Sequence, residues 1–314
     1  MRLTVLAGGV GGARFLRGVR AAFPGDEVTA IVNTGDDVTV HGLRVCPDLD
    51  SVMYTLGDGI DRERGWGRAD ETWHVMDELA AYGADPDWFG LGDRDTATHL
   101  VRTRMLDAGY SLSDVTAALC DRWHPGVRLL PMTDDRCETH VVVVVDGVKK
   151  AIHFQEWWIR YHAELPAQSF VQVGVEDAHP APGVLDTVHG CDVVLFAPSN
   201  PVVSIGTILG VPGIADGLRT TPAPVVGVSP IVAGAPVRGM ADRCLPAVGV
   251  EVSAQGVAGY YGARLGGGLL DGWLVHTGDR AEVAGLRVRE VPLLMTDDAA
   301  SAAMARAAVE LAHG

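Results

Sequence analysis

The stretch "VLAGGVGGARFL", residues 5–16, decides the fold. An apolar run breaks at four glycines within five positions, Gly8, Gly9, Gly11 and Gly12, and apolar residues then resume at helical spacing. "LTVLAG" reads as a strand, Ala13 to Phe23 as a helix and "VTAIVNT" as a second strand, which together make a βαβ opening. Glycines between a strand and a helix let backbone N–H groups approach a phosphate at the positive end of the helix dipole. The dinucleotide fingerprint is incomplete: counted from Gly9, Arg14 stands where the third glycine of G-x-G-x-x-G belongs. No G-K-[ST] follows either, so this is not a P-loop. A tight βα turn that holds no ligand is the competing reading. Arg14 in the first helical turn opposes the dipole, which favours an anion nearby.

Working outward, 314 residues of which 47% are hydrophobic can form one large α/β domain, or one domain with a sizeable insertion. The formal net charge of −15, with no Lys/Arg cluster to interrupt it, argues against nucleic acid and against an anionic membrane as partners. An acidic protein that handles an anionic small molecule must supply local positive potential from a metal ion, isolated arginines or helix N-termini. The five cysteines are scattered and form no C-x-x-C pair, so neither disulfides nor a structural zinc is expected. Residue 1 leads straight into a strand, and no apolar run approaches the roughly 18 residues of a membrane span. A cytoplasmic location is expected.

Val/Leu-rich runs without alternation recur as "CDVVLFAPSNP", "APVVGVSPIV" and "LLDGWLVH", as suits strands buried on both faces of a parallel sheet. Residues 68–124 read as a mostly helical insertion, with "DETWHVMDELAAYG" and "DTATHLVRTRMLDAG" each closing at a glycine. In "ETHVVVVVDGVKKAIHFQEWW", Asp146-Gly147 signals a two-residue hairpin. The expectation is a single α/β domain over 1–314: a Rossmann-like three-layer sandwich with a mainly parallel sheet and this helical insertion.

Acidic residues follow the second strand. "VNTGDD" brings Asp36 and Asp37 to the carboxyl edge of the sheet, where open α/β folds bind ligands. "CPDLDSVMYTL" adds Asp48 and Asp50. Carboxylates converging on one crevice repel and must bind cations or be partly protonated, and Mg²⁺ takes one or two of them with water and substrate phosphate. Asp48 fits a helix cap as well as a ligand, Asp36 and Asp50 fit the site better, and Asp37 suits either. In "LGDRDTATHLV", Asp95 reads as an N-cap, while Arg94 at a helix start calls for a bound anion or polar group. His99 alone reads as an ordinary packed or surface histidine. "APSNPVVSIGTIL" repeats the opening logic, with a helix starting near Ser204 and with Ser199, Asn200 and Ser204 able to bond a phosphate or a base edge. "VSPIVAG" is a weaker loop of the same kind. Trp157 and Trp158 read as core packing ahead of a stacking wall.

Taken together, "LAGGVGGAR", "NTGDD", "CPDLDSVMYTL", "GDRDTATHLVR", "HFQEWW", "APSNPVVSIGTIL" and "VSPIVAG" resemble the 2-phospho-L-lactate transferase (CofD) family, from residue 1 into "VPLLMTDD". "WFGLGDRD" and "LLDGWLVH" are most similar to its actinobacterial members, which take the enolpyruvyl donor. The resemblance implies a Mg²⁺-dependent transferase of coenzyme F-420 biosynthesis. Such an enzyme moves a phosphorylated three-carbon acid from its guanosine diphosphate ester to the deazaflavin Fo and releases GMP. It also implies a homodimer, Asp50 and Arg94 as contacts to the deazaflavin, Asp36 with Asp50 as metal ligands, and a nucleotide cradle made of Gly8, Gly9, Gly11, Gly12 and Ala13 with Ser199, Asn200 and Ser204. The chemistry requires no covalent nucleophile, and Asp50→Ala is expected to keep the fold and abolish turnover. Two other classes compete. A regulatory nucleotide-sugar-binding protein of the gluconeogenesis-factor type shares the core and the glycine opening. A nicotinamide oxidoreductase would use Asp36 as the ribose acid, but the failed fingerprint weighs against it.

Overall fold

The computed structural model describes all 314 residues. Seven strands form its central sheet: β1 (Arg2–Ala7), β2 (Glu27–Val32), β3 (Arg128–Pro131), β4 (Val193–Phe196), β5 (Val225–Val228), β6 (Gly272–His276) and β7 (Arg287–Val291). Their order across the sheet is β3-β2-β1-β4-β5-β6-β7, and every pairing is parallel. The order therefore reverses between β1 and β4, the place where doubly wound sheets open a crevice beyond the carboxyl ends of their strands.

Helices cover both faces, which makes three layers. Successive residues of β4 point to opposite sides: Val194 and Phe196 enter one apolar core, Val193 and Leu195 the other. The second core is closed by α1 (Gly9–Ala22), α2 (Pro47–Leu56) and the alanine-rich α4 (Asp298–His313), with Gly18 of α1 lying against the Ser301 backbone. Burial on both faces explains the uniform Val/Leu composition of the central strands, such as β4 and β5. The outermost β7, "RVREV", alternates instead and was not legible as part of the sheet.

Between β2 and β3 the chain makes a short hairpin (Val38–Val40 with Leu43–Val45), then α2, then helices at His74–Ala81, Asp93–Asp107 (α3) and Leu112–Trp123. The hairpin at Asp146-Gly147 is present, with φ of 51° and 75° as a two-residue turn of this kind demands. Its two strands join a third, Ser169–Val173, in a separate antiparallel sheet that the sequence did not disclose. No single helix is long and apolar enough to cross a membrane.

Candidate functional site

The first loop of the site is shorter than its sequence suggests. α1 begins at Gly9, with Gly8 as its N-cap, so the glycines form the first helical turn and not a separate loop. This turn packs face to face against the segment following β4. A Cβ on Gly8 would stand 2.6 Å from Asp48 Oδ2 and 2.7 Å from Ser204 Cβ, one on Gly11 2.8 Å from the Pro198 carbonyl oxygen, and one on Gly12 2.8 Å from Ser199 Oγ. The missing side chains thus let two loops at the switch point touch. The second helix starts at Pro201 rather than near Ser204, because the Asn200 side-chain oxygen accepts from the Val202 and Val203 N–H groups and caps it.

Above these loops lies a cavity of about 550 Å³. Gly8, Gly9, Gly11, Ser199, Asn200 and Ser204 line one end. Gly12 and Ala13 do not reach it; Ala13 is buried beneath the turn. Asp36, Asp48 and Asp50 also border the cavity, whereas Asp37 does not. Asp37 is buried behind the wall, where its carboxylate accepts from Arg44 at 3.0 Å and from the Cys46 thiol at 2.9 Å.

The acids divide into two groups. Asp48 does not cap α2: its Oδ2 accepts from Asn33 Nδ2 at 2.9 Å, and Cys46 occupies the N-cap of α2 without a side-chain bond. Burial pushes Asp48 up to about 6, against the pull of the Asn33 amide and the Gly9 N–H. Asp36 is raised as well, first by burial and then by the neighbouring Asp48 charge, and its Oδ1 is buried with no partner. Two adjacent buried carboxylates, one with an orphaned oxygen, form a donor set that suits a small hard cation.

Asp50 behaves differently. The guanidinium of Arg102, 2% exposed, donates from Nη1 to Asp50 Oδ2 at 3.0 Å and from Nη2 to Asp50 Oδ1. Asp50 is thus charge-paired already, and the carboxylate beside Asp36 is Asp48. Arg102 also donates to His99 Nδ1 at 3.0 Å. Asp95, read from sequence as an N-cap, sits inside the first turn of α3 behind Gly92 and accepts from the Tyr54 hydroxyl at 2.6 Å. Arg94 lies outside the cavity lining, half exposed, 4.0 Å from Asp70 Oδ2.

Several lining residues carried no local signal. Arg64 enters the wall stacked 5.2 and 5.3 Å from the rings of Trp66 and Trp73, and Arg238 enters from the 230s loop. They are the two cationic side chains on a wall rich in acids. Trp157 is core, its indole N–H on the Leu165 carbonyl, while Trp158 faces the cavity. From the "VSPIVAG" loop Pro230 reaches the cavity, and Ser229 turns back onto Ile231. Arg102 was detectable in principle: Asp95, His99 and Arg102 recur at helical spacing on the buried side of α3, a polar stripe where an apolar one is usual.

With this geometry in place, the comparisons decide the family. Residues 3–309 match the model of the family described as 2-phospho-L-lactate transferase CofD. The chain belongs to the CofD family. Proteins named phosphoenolpyruvate transferase are similar throughout: the one from Nocardia farcinica is 63% identical over 99% of this chain and 95% of its own. That from Mycolicibacterium smegmatis is 60% identical over 99% of both chains. Among solved structures, a upf0052-family protein from Bacillus halodurans superposes with a TM-score of 0.61 at 17% identity, over 98% of this chain and 99% of its own, and supports the fold. This CofD-family chain is therefore a transferase with an α/β fold, and its crevice lies where such folds bind their ligands.

Proposed function

We propose that this CofD-family chain moves a phosphorylated three-carbon acid, phosphoenolpyruvate or 2-phospholactate, from its guanosine diphosphate ester to the deazaflavin Fo, as a step of coenzyme F-420 biosynthesis. One observation carries the reading: a single cavity joins a glycine-walled end, at the first turn of α1, to the buried pair Asp36 and Asp48. The printed names of the relatives supply the transferred group.

The diphosphate of the donor lies against the Gly8–Gly11 turn and the Ser199–Ser204 segment, where N–H groups and the helix dipole favour negative charge. Asp36 and Asp48 would hold Mg²⁺, which would supply positive charge to offset that of the diphosphate. Arg64 and Arg238 add positive potential in a chain of net charge −15. The oxygen of an acceptor hydroxyl forms a bond to the phosphorus bearing the three-carbon acid, the hydroxyl proton is released to solvent, the bond from that phosphorus to the bridging oxygen breaks, and GMP leaves with its electron pair. Catalysis consists of holding the two partners in line and offsetting charge. Asp50, which also borders the cavity, is assigned to the acceptor. Arg94, at the start of α3, reaches the acceptor only by swinging inward from Asp70.

Mass spectrometry of products from Fo, Mg²⁺ and each guanosine diphosphate donor in turn tests the reading. GMP together with a phospho-acid adduct of Fo is expected; intact donors after prolonged incubation contradict it.

A further inference from the structure

Two carboxylates line the cavity, Asp50 from α2 and Asp95 from α3, and one buried basic pair touches both. Arg102 grips Asp50 through both terminal nitrogens and donates from Nη1 to His99 Nδ1 at 3.0 Å. A guanidinium only donates, so His99 Nδ1 must offer its lone pair and the ring proton resides on Nε2. His99 is 1% exposed, and its Nε2 makes no hydrogen bond: it lies 3.4 Å from Asp95 Oδ1, which already accepts from the Tyr54 hydroxyl. A buried donor left unpaired beside a carboxylate at a cavity wall is an incomplete site.

We propose that Asp50 and Asp95 are a pair of hydroxyl-accepting carboxylates for the polyol tail of the acceptor, and that Arg102 and His99 are the positioning residues that aim them. The reasoning is one of donor and acceptor count. Each carboxylate oxygen retains a lone pair after its internal bonds, and ionised carboxylates accept only, so the matching ligand groups are hydroxyl donors. Arg102 holds Asp50 by both oxygens, and His99 links that pair to Asp95. A diol or longer polyol chain satisfies both, pulls Asp95 inward and brings its oxygen within bonding distance of the His99 Nε2–H. The same tautomer removes His99 as proton acceptor, since Nδ1 is bonded and Nε2 already carries its hydrogen. The inference rests on the proposed acceptor and adds which residues read its tail.

Steady-state kinetics on the full chain with Fo and donor, for His99→Leu, His99→Gln and Asp95→Asn, test it. Losing one charge-assisted bond is expected to raise the KM for Fo about tenfold in His99→Leu and in Asp95→Asn, with the donor KM within about twofold. His99→Gln, which keeps one acceptor for Arg102 and one donor for Asp95, is expected to recover most of the loss. Nitrogen-15 NMR of the histidine rings, with His99 assigned by its absence in His99→Gln, is expected to show the Nε2–H tautomer of the neutral ring. An unchanged Fo KM in Asp95→Asn, equal rises in both KM values, or an Nδ1–H ring overturns the inference; Asp95→Asn keeps it testable if His99→Leu fails to fold. A wild-type chain that transfers nothing to Fo overturns the reading of function itself, and product analysis reveals that before any variant is made.

Discussion

Ser199 and Gly8 are joined in both directions: the Ser199 hydroxyl donates to the Gly8 carbonyl at 2.7 Å and accepts from the Gly8 N–H at 3.0 Å. This exchange ties the end of β1 to the end of β4 across the switch point and sets the width of the crevice. Replacing Ser199 by Ala leaves the buried Gly8 N–H without a partner and the Gly8 carbonyl with the Gly12 N–H alone. A loss of about 1–3 kcal/mol is expected in urea unfolding, with a raised KM for the guanosine donor.

Gly8 has extended backbone, φ −155°, so its requirement is one of space and not of conformation. Gly8→Ala drives a methyl group into Asp48 Oδ2 and Ser204 Cβ, displacing half of the acid pair. Activity is expected to fall by about 10²-fold, since a displacement of about 1 Å at a reacting centre has that effect. Kinetics beside a thermal melt separate this from global unfolding.

Asp48 ionises at about 6 in the folded protein, against an ordinary 3.8. Folding thus favours its protonated form, and that contribution is full below about pH 3.8 and lost as pH rises through about 6. Metal-free Asp48→Asn is therefore expected to exceed the wild type in stability at pH 8, by on the order of 1–3 kcal/mol, and to match it near pH 4. Mg²⁺ needs the ionised pair, so calorimetric titration is expected to show affinity falling as pH drops through 6 and vanishing in Asp48→Asn.

Asp50→Ala does more than remove a substrate contact. It strips the buried Arg102 of its carboxylate, and about 3–5 kcal/mol of stability is expected to go with it. Arg102→Met is expected to cost a similar amount. The double variant Asp50→Ala with Arg102→Met is expected to lose less than the sum of the single losses, as guanidinium unfolding of all three reads directly.

The legible part of this protein was its apolar grammar. Runs such as Val193–Phe196 admit hardly any reading but a doubly buried strand, and the glycines after β1 announce a tight strand-to-helix turn. The crevice followed from chain order, which placed Asp36, Asp48 and Ser199 within reach of one another. Charge partners were not legible, because they are set by packing: nothing near Asp50 indicates that Arg102, fifty-two residues on, takes both of its oxygens. The same holds for Asp95, whose capping signature is real but whose carboxylate Tyr54 claims. Helix starts also slipped, at Gly9 and Pro201, where backbone sterics and an Asn cap outweighed the apolar spacing.

The central claim is that the two loops joined by Ser199 and Gly8 hold a guanosine diphosphate ester while Asp36 and Asp48 hold its metal. A crystal soaked with GDP and Mn²⁺, with the manganese located by anomalous scattering, tests it most directly. The account predicts diphosphate oxygens on the Val10 and Gly11 N–H groups of the first turn of α1 and one manganese peak within about 2.2 Å of carboxylate oxygens of Asp36 and Asp48. Nucleotide bound away from that turn, or manganese seated on other carboxylates, contradicts it.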